Sequence, residues 1–209
     1  MSIEPFTVLR GKAGPMPEEN IDTDIIFPAR FLLVTAREGL GRYAFHDRRF
    51  DSAGGEVADF VLNQPQWRDA PILVTGANFG SGSSREQAVW ALLGAGVRCI
   101  IAPSFGEIFR GNCMRNGVLP VVLEQADVDR LMAVAQSGGE ITADLAAQTV
   151  SAADLPAIPF EIPAERKLAL ANGWDETDLI LGQFGDDIAR FEQQQKISRP
   201  WLYEKDPAA

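Results

Sequence analysis

The sequence is poor in the residues that bind soft metals and form disulfides. Its 209 residues include two cysteines, Cys99 and Cys113, and one histidine, His46. Two cysteines are too few for a disulfide scaffold, and each lies in an apolar context where a free thiol is ordinary. Zinc sites and iron–sulfur clusters usually draw on three or four Cys or His ligands. Any metal chemistry must therefore come from outside this chain.

Basic residues and long apolar runs are also scarce. Lys plus Arg number 19 against 29 Asp plus Glu, which gives a net charge of -10, and no cluster of basic residues relieves that balance. Nucleic acids and anionic membrane surfaces are poor partners for such a chain. No apolar run approaches the roughly 20 residues of a membrane span, and residues 1–5 lack the pattern of a signal peptide. We therefore expect a cytoplasmic protein.

What the sequence does contain is enough apolar residues, 46% of the chain, to bury a core. We expect a single domain over residues 1–209, ending in a helical segment from about residue 163 to 209. Residues 71–76 and 97–102 are typical of buried strands, and residues 84–94 between them of a helix. A strand, a helix and a strand in that order predict a βαβ unit with parallel strands. The fold class is therefore α/β, with three layers if later strands fold over this sheet.

Other segments are assigned from apolar periodicity and from turn residues. A short strand at 6–9 is expected to end at a Gly/Pro-rich break over 11–17, and residues 45–50 are expected to form an exposed strand or turn. After residue 163 we expect two helices broken at Asn172-Gly173. Further helices are predicted at 104–116 and 128–135, and further strands at 118–123, 140–144, 148–151 and 158–162.

The most unusual composition is the turn Gly76–Glu86, between a predicted buried strand and a predicted helix. Ligands of open parallel sheets bind beyond the carboxyl ends of the strands. Glycines let a backbone approach a ligand closely, and a helix start presents unpaired N–H groups. Arg85 adds a bidentate fork suited to a carboxylate or phosphate, and Ser83 and Ser84 add hydroxyl donors. The turn therefore predicts an anion pocket.

A simpler interpretation of this turn stays open, with Ser84 as the N-cap of the helix and Arg85 in solvent. The spacing of the turn disfavours a P-loop, a dinucleotide fingerprint and a nucleophile elbow. Because His46 is distant in sequence, Ser83 has no partner for a conventional triad, and we expect His46 to be structural. If Ser83 acts as a base, its alkoxide needs nearby N–H groups and positive charge, and a Lewis acid outside this chain must acidify the substrate proton.

Several motifs in order resemble the swivelling domain of the aconitase superfamily. The segments Asn20–Ile26, Pro28–Leu32 and Phe45–Phe50 are similar to the separate-chain form of that domain, the small-subunit family of isopropylmalate dehydratases. The resemblance covers nearly the whole chain. The motifs that carry it are Phe79–Glu86, Ile101–Phe105, Ile108-Phe109, Asn112 and Asn116–Pro120, with Pro159–Ile162 and Asn172-Gly173.

This resemblance implies a three-layer β/β/α swivelling fold and a large partner subunit that carries a four-iron four-sulfur cluster, with no cofactor bound by this chain. It also implies reversible dehydration of a small malate-type dicarboxylic acid in leucine biosynthesis. Matched by position, Ser83 would be the catalytic base, while Ser84 and Arg85 would bind a substrate carboxylate.

The resemblance also places a substrate-sensing loop at Phe31, Leu32, Leu33 and Val34, whose apolar character suits a branched hydrocarbon group. Four apolar residues after a turn are also typical of a core. Many relatives have a basic residue in place of Leu33 and a histidine in place of Gln87, which leaves citraconate, a dimethylmalate and homoaconitate open as alternative acids. A carboxylate-binding module without turnover is the alternative from another functional class.

Overall fold

The computed structural model describes residues 3–34, 36–82 and 85–203. The strands are β1 (Val8–Met16), β2 (Ile72–Thr75), β3 (Cys99–Ala102), β4 (Leu119–Val122), β5 (Glu140–Asp144), β6 (Thr149–Ala152) and β7 (Leu155–Pro159). The α-helices are α1 (Thr23–Ile26), α2 (His46–Arg49), α3 (Glu86–Gly94), α4 (Glu107–Arg115), α5 (Gln125–Gln136), α6 (Ala164–Asn172) and α7 (Glu176–Ser198). In the described ranges the strands form a seven-stranded sheet in the order β4-β3-β2-β1-β5-β6-β7.

Strand β1 joins two halves of this sheet. Its second part, Ala13–Met16, pairs in parallel with β2, and β3 and β4 continue the parallel half. Its first part, Val8–Lys12, pairs antiparallel with β5, and β6 and β7 continue the antiparallel half. The expected parallel βαβ unit is confirmed as β2-α3-β3. The sheet curls so that its two halves pack around one core, and α3 covers the other face of the parallel half. The expected α/β fold with three layers, β/β/α, is confirmed as well.

The parallel half is buried on both faces, since successive residues of β2 enter two different cores. Leu73 packs in one core with Leu92 of α3. Ile72 packs in the other core with Leu131 of α5 and Ile141 of β5. A strand covered on both faces has apolar residues in succession rather than in alternation. The sequence of β2 therefore indicated a buried strand clearly.

The expected break over residues 11–17 is wrong, because residues 11–16 lie inside β1. A Cβ on Gly11 would lie 2.7 Å from Cγ of Pro71, so glycine here allows a close contact rather than a turn. Pro15 lies in the part of β1 that pairs with β2 on one side, and a strand segment with one neighbour tolerates proline.

Two other expectations need correction, and one is confirmed. Residues 45–50 contain the one-turn helix α2 rather than a strand. The last strand, expected at 158–162, is β7 and begins earlier, at Leu155. The break between the two terminal helices is confirmed, since Gly173 ends α6 in the left-handed region at φ +66°. None of the helices in the described ranges has the length and apolarity to cross a bilayer.

Candidate functional site

The glycine-rich turn lies where three neighbouring parallel strands end. Strands β1, β2 and β3 all have their carboxyl ends at one edge of the sheet, and the loops that follow them meet there. Residues 76–82, after β2, form an isolated parallel bridge with each neighbouring loop. One bridge joins Ser81 to Asp22 and the other joins Phe79 to Phe105. The turn therefore occupies the middle of the edge where ligands of parallel sheets bind.

Backbone hydrogen bonds hold this turn from both sides. The N–H of Gly80 donates to the carbonyl of Ile21 at 2.7 Å. The N–H of Gly106 donates to the carbonyl of Phe79 at 2.9 Å. Because the turn is bound to the loops after β1 and β3, its shape is set by the protein itself.

Gly80 makes the close packing of this turn possible, which gives a first prediction. Its φ is +70°, and a Cβ there would lie 2.2 Å from ring atoms of Phe109. We expect Gly80→Ala to lower the free energy of unfolding by about 2–4 kcal/mol, from backbone strain and overpacking together. Urea denaturation measures this change.

Gly111→Ala is the matched control for that measurement. Gly111 lies in α4, and a Cβ there would meet open space. Alanine in a helix is favoured over glycine by up to about 1 kcal/mol, so this variant should be at least as stable as the parent. Equal stabilities for the two variants would contradict the packing of Gly80 against Phe109.

Of the predicted site residues in this turn, Arg85 is described, while Ser83 and Ser84 lie outside the described residues. Arg85 occupies the N-cap position of α3, so the helix begins after it and the simpler interpretation that made Ser84 the N-cap is wrong. The Arg85 guanidinium forms an ion pair and hydrogen bond with the Asp24 carboxylate. Its side chain is only 19% exposed, so the placement of Arg85 in solvent is also wrong.

The position of Arg85 suits anion binding. Arg85 precedes the first turn of α3, whose backbone N–H groups carry the positive end of the helix dipole. The side chain of Arg85 makes no capping hydrogen bond to that turn. A guanidinium has five N–H donors in a planar fork, so the contact with Asp24 leaves donors for a second carboxylate.

The segment predicted to sense the substrate has two parts with different surroundings. Phe31 stacks on Tyr43, with ring centroids 4.3 Å apart, and its centroid lies 4.8 Å from that of His46. Leu32 and Val34 pack against the core. Leu33 projects outward and is 92% exposed. Three of these four side chains therefore support the core while staying partly exposed, and the Leu33 side chain lies almost wholly in solvent.

A polar cluster that sequence reasoning missed lies beside this segment. Arg30 donates to Asp47 at 2.8 Å, and its other terminal nitrogen lies 3.2 Å from Nδ1 of His46. Hydrogen bonds from Arg30 hold the pKa of the Asp47 carboxyl below its usual range. The ring of His46 also lies 5.1 Å from that of Phe50, which agrees with the structural role expected for this histidine. No local sequence pattern indicates that Arg30 pairs with Asp47, which lies 17 residues further along the chain.

The cysteines of this chain do not suit an iron–sulfur cluster. Cys99 and Cys113 are both fully buried in the two cores. Burial raises the pKa of both thiols above their usual range, which disfavours the thiolate that a cluster needs. Throughout residues 3–34, 36–82 and 85–203, no group of three or more His, Cys, Asp or Glu side chains is arranged to hold a metal ion.

Two family models match about three quarters of the chain. A family model described as the aconitase C-terminal domain matches residues 3–126. A second model, described as LeuD_N, matches residues 129–164. Together they extend from the start of the described chain to the start of α6.

Two relatives that align over nearly their full length have the same name. The 3-isopropylmalate dehydratase small subunit of Dinoroseobacter shibae is 52% identical over 202 residues, covering 96% of this chain and 100% of that protein. The protein of the same name from Rhodospirillum rubrum is 51% identical over 202 residues, covering 96% of this chain and 97% of that protein.

A solved structure supports the fold. The 3-isopropylmalate dehydratase chain (LeuD) of Methanocaldococcus jannaschii superposes with a TM-score of 0.62 at 24% identity, covering 90% of this chain and 99% of that one. The β/β/α layers, the family models and the full-length relatives agree, and the chain belongs to the family of 3-isopropylmalate dehydratase small subunits, built on the aconitase C-terminal domain.

Proposed function

We propose that this chain is the small subunit of a 3-isopropylmalate dehydratase, which interconverts 2-isopropylmalate and 3-isopropylmalate in leucine biosynthesis. The observation that carries the proposal is the 52% identity to a small subunit of that name over the whole length of that relative. The site agrees with it, because Arg85 lies at the carboxyl edge of a parallel sheet and at the start of a helix.

The reaction removes water and adds it back on adjacent carbons of the substrate. Dehydration breaks a C–H bond next to a carboxylate and the C–O bond of the neighbouring carbon, and the proton must go to a base. We assign that base to Ser83. Arg85 and Ser84 hold a substrate carboxylate, which fixes the C–H bond toward Ser83 and places positive charge near its alkoxide.

The division of labour between two chains follows from the buried cysteines. Because this chain's described residues do not fit a four-iron four-sulfur cluster, we place the cluster on a large partner subunit, where it would supply a Lewis acid for the leaving hydroxyl. The small subunit then contributes the base and the carboxylate clamp. Neither chain has a complete site by itself.

A reconstitution experiment tests this function. The purified chain, its large subunit loaded with iron and sulfide, and their mixture are each assayed with 2-isopropylmalate, following the unsaturated acid by its absorbance. We expect turnover by the mixture alone. Turnover by this chain alone would contradict the proposal, and so would an inactive mixture in which the two chains bind each other.

The free Leu33 side chain leads to a prediction on specificity. In the assembled enzyme we expect Leu33→Ala to reduce the preference for isopropylmalate over a malate with a shorter side group by roughly 10-fold, since contacts on the scale of one methylene are worth about 1–3 kcal/mol. Ratios of kcat/KM for the two acids measure the preference.

The free energy of unfolding of the Leu33→Ala variant is the control for this prediction. Because Leu33 is almost fully exposed, its truncation should leave the free energy of unfolding of the free chain, measured in urea, within about 0.5 kcal/mol of the parent value. If the ratio of kcat/KM for the two acids were unchanged, Leu33 would not contact the side group of the substrate. The same comparison, extended to citraconate and dimethylmalate, identifies the acid for which the enzyme is most efficient.

A further inference from the structure

Two residues of the sequence motifs, Glu86 and Asn116, meet in the folded chain although 30 positions separate them. Glu86 is the first residue of α3 and directly follows Arg85. Asn116 is the C-cap residue of α4. The side-chain Nδ2 of Asn116 donates to Oε1 of Glu86 at 2.7 Å. The helix start that carries Arg85 is therefore fixed to the end of the neighbouring helix.

The amide of Asn116 is buried and bonded at both of its polar atoms. Asn116 is 8% exposed. Besides its bond to Glu86, Nδ2 donates to the carbonyl of Asn112 at 2.9 Å, and Oδ1 accepts from Nε1 of Trp90 at 2.9 Å. Trp90 lies one helical turn after Glu86, so Asn116 binds two neighbouring points on one side of α3. Because both hydrogens and the oxygen of this amide are bonded, its orientation and the position of the Glu86 carboxylate are fixed.

Glu86 and Arg85 are neighbours in the chain, but different elements hold their side chains. Arg85 pairs with Asp24 of α1, whereas Glu86 is bonded to the end of α4. Glu86 also lines a cavity of about 610 Å³ together with Arg37 and Arg115, and Arg85 is not part of that lining. Within the described ranges, no ion pair joins Glu86 to Arg85. The acidic and the basic side chain are thus kept apart.

This separation matters for the anion site. A carboxylate attracts a guanidinium strongly when the two lie within about 4 Å and water is partly excluded. The Arg85 side chain is only 19% exposed, and its contact with Asp24 leaves N–H donors unused. Arg85 has the extended backbone of an N-cap residue, so a released Glu86 side chain would be free to reach those donors. It would then compete with the substrate carboxylate for the same guanidinium.

We propose that Asn116 is a positioning residue of this enzyme. It holds the Glu86 carboxylate on the α4 side of the first turn of α3, and the unused donors of Arg85 stay open to the substrate. The inference rests on the proposed function, in which Arg85 binds a substrate carboxylate. Asn116 acts through Glu86 and needs no contact with the substrate. Its loss should therefore weaken substrate binding without removing a group that takes part in the chemistry.

The same substitution at two buried asparagines tests this role in the assembled two-chain enzyme. Leucine is close to asparagine in size but has no hydrogen-bond donor, so Asn116→Leu releases the Glu86 carboxylate. We expect KM for 2-isopropylmalate to rise about 10-fold or more, with kcat within about threefold of the parent. Asn63→Leu is the matched control, because Asn63 is 4% exposed and its amide also donates to two acceptors. The control should also lose stability in urea, but it should keep its KM.

Glu86→Gln separates the effect of the released charge from that of the lost hydrogen bonds. A neutral amide competes poorly with a carboxylate for a guanidinium, so adding this change to Asn116→Leu should return KM to within about threefold of the parent. The free energy of unfolding should stay low in the same double variant. Glu86→Asp releases the charge at a partly buried position. Its shorter side chain no longer reaches Asn116, and KM should again rise.

Steady-state kinetics of the five enzymes decide the matter, provided that each variant chain binds the large subunit. With an active parent, the role of Asn116 would be overturned if Glu86→Asp and Asn116→Leu kept the parent KM, or if KM stayed high in the double variant. An equal rise of KM in Asn63→Leu would overturn it as well. An inactive parent complex would instead overturn the proposed function, and this inference with it.

Discussion

Replacing Ser83 with alanine is expected to lower the kcat of the assembled two-chain enzyme by about 10²–10⁴-fold, the usual contribution of a positioned base. The base takes a proton from carbon, and alanine has no atom that can receive it. The binding of the substrate carboxylate depends on Arg85 and Ser84, so KM should change little. Steady-state kinetics with 2-isopropylmalate give both parameters.

Ser81→Ala provides the control in the same turn. Ser81 contributes its backbone carbonyl, which accepts a hydrogen bond from the Thr23 N–H at 2.9 Å, and alanine preserves that contact. We expect this variant to keep kcat within a few-fold of the parent. If Ser83→Ala behaved like Ser81→Ala, with both variants bound to the large subunit, the base would have to be another group.

The central part of the fold could be predicted because its signals are local. A strand buried on both faces has consecutive apolar residues, as in β2, and the helix that follows it is bounded by glycine turns. The order of strand, helix and strand then fixes parallel pairing and places the turn at the carboxyl edge. The placement of the candidate site at Gly76–Glu86 followed from these steps alone.

Other parts could not be predicted because they depend on contacts between distant residues. Gly11 and Pro15 favour a turn by local propensity, but the pairing of β1 with β2 and β5 makes their segment a strand. The pairing of Arg85 with Asp24 spans 61 residues of sequence. Asp24 lies in the one-turn helix α1, and no local sequence pattern indicates which cation its carboxylate binds.

Replacing Arg85 with lysine is the second large effect that we expect. In the assembled enzyme kcat/KM should fall by about 100-fold, because lysine keeps the charge but loses the bidentate contact with the substrate carboxylate. A charge-assisted hydrogen bond is worth about 1.5–3 kcal/mol, which corresponds to that loss. Most of the change should appear in KM if the carboxylate is held equally in the ground state and the transition state.

Asp24→Asn separates this role of Arg85 from a merely structural one. The Asp24 carboxylate is about half exposed, and an ion pair at such a position contributes about 1 kcal/mol or less to stability. If Arg85 serves only to hold Asp24, both variants should lose a similar small amount of stability and keep their activity. If Arg85 binds the substrate, Asp24→Asn should keep kcat/KM within about 10-fold of the parent while Arg85→Lys does not. The difference between two substitutions in one ion pair therefore decides whether the guanidinium acts on the substrate or on the protein.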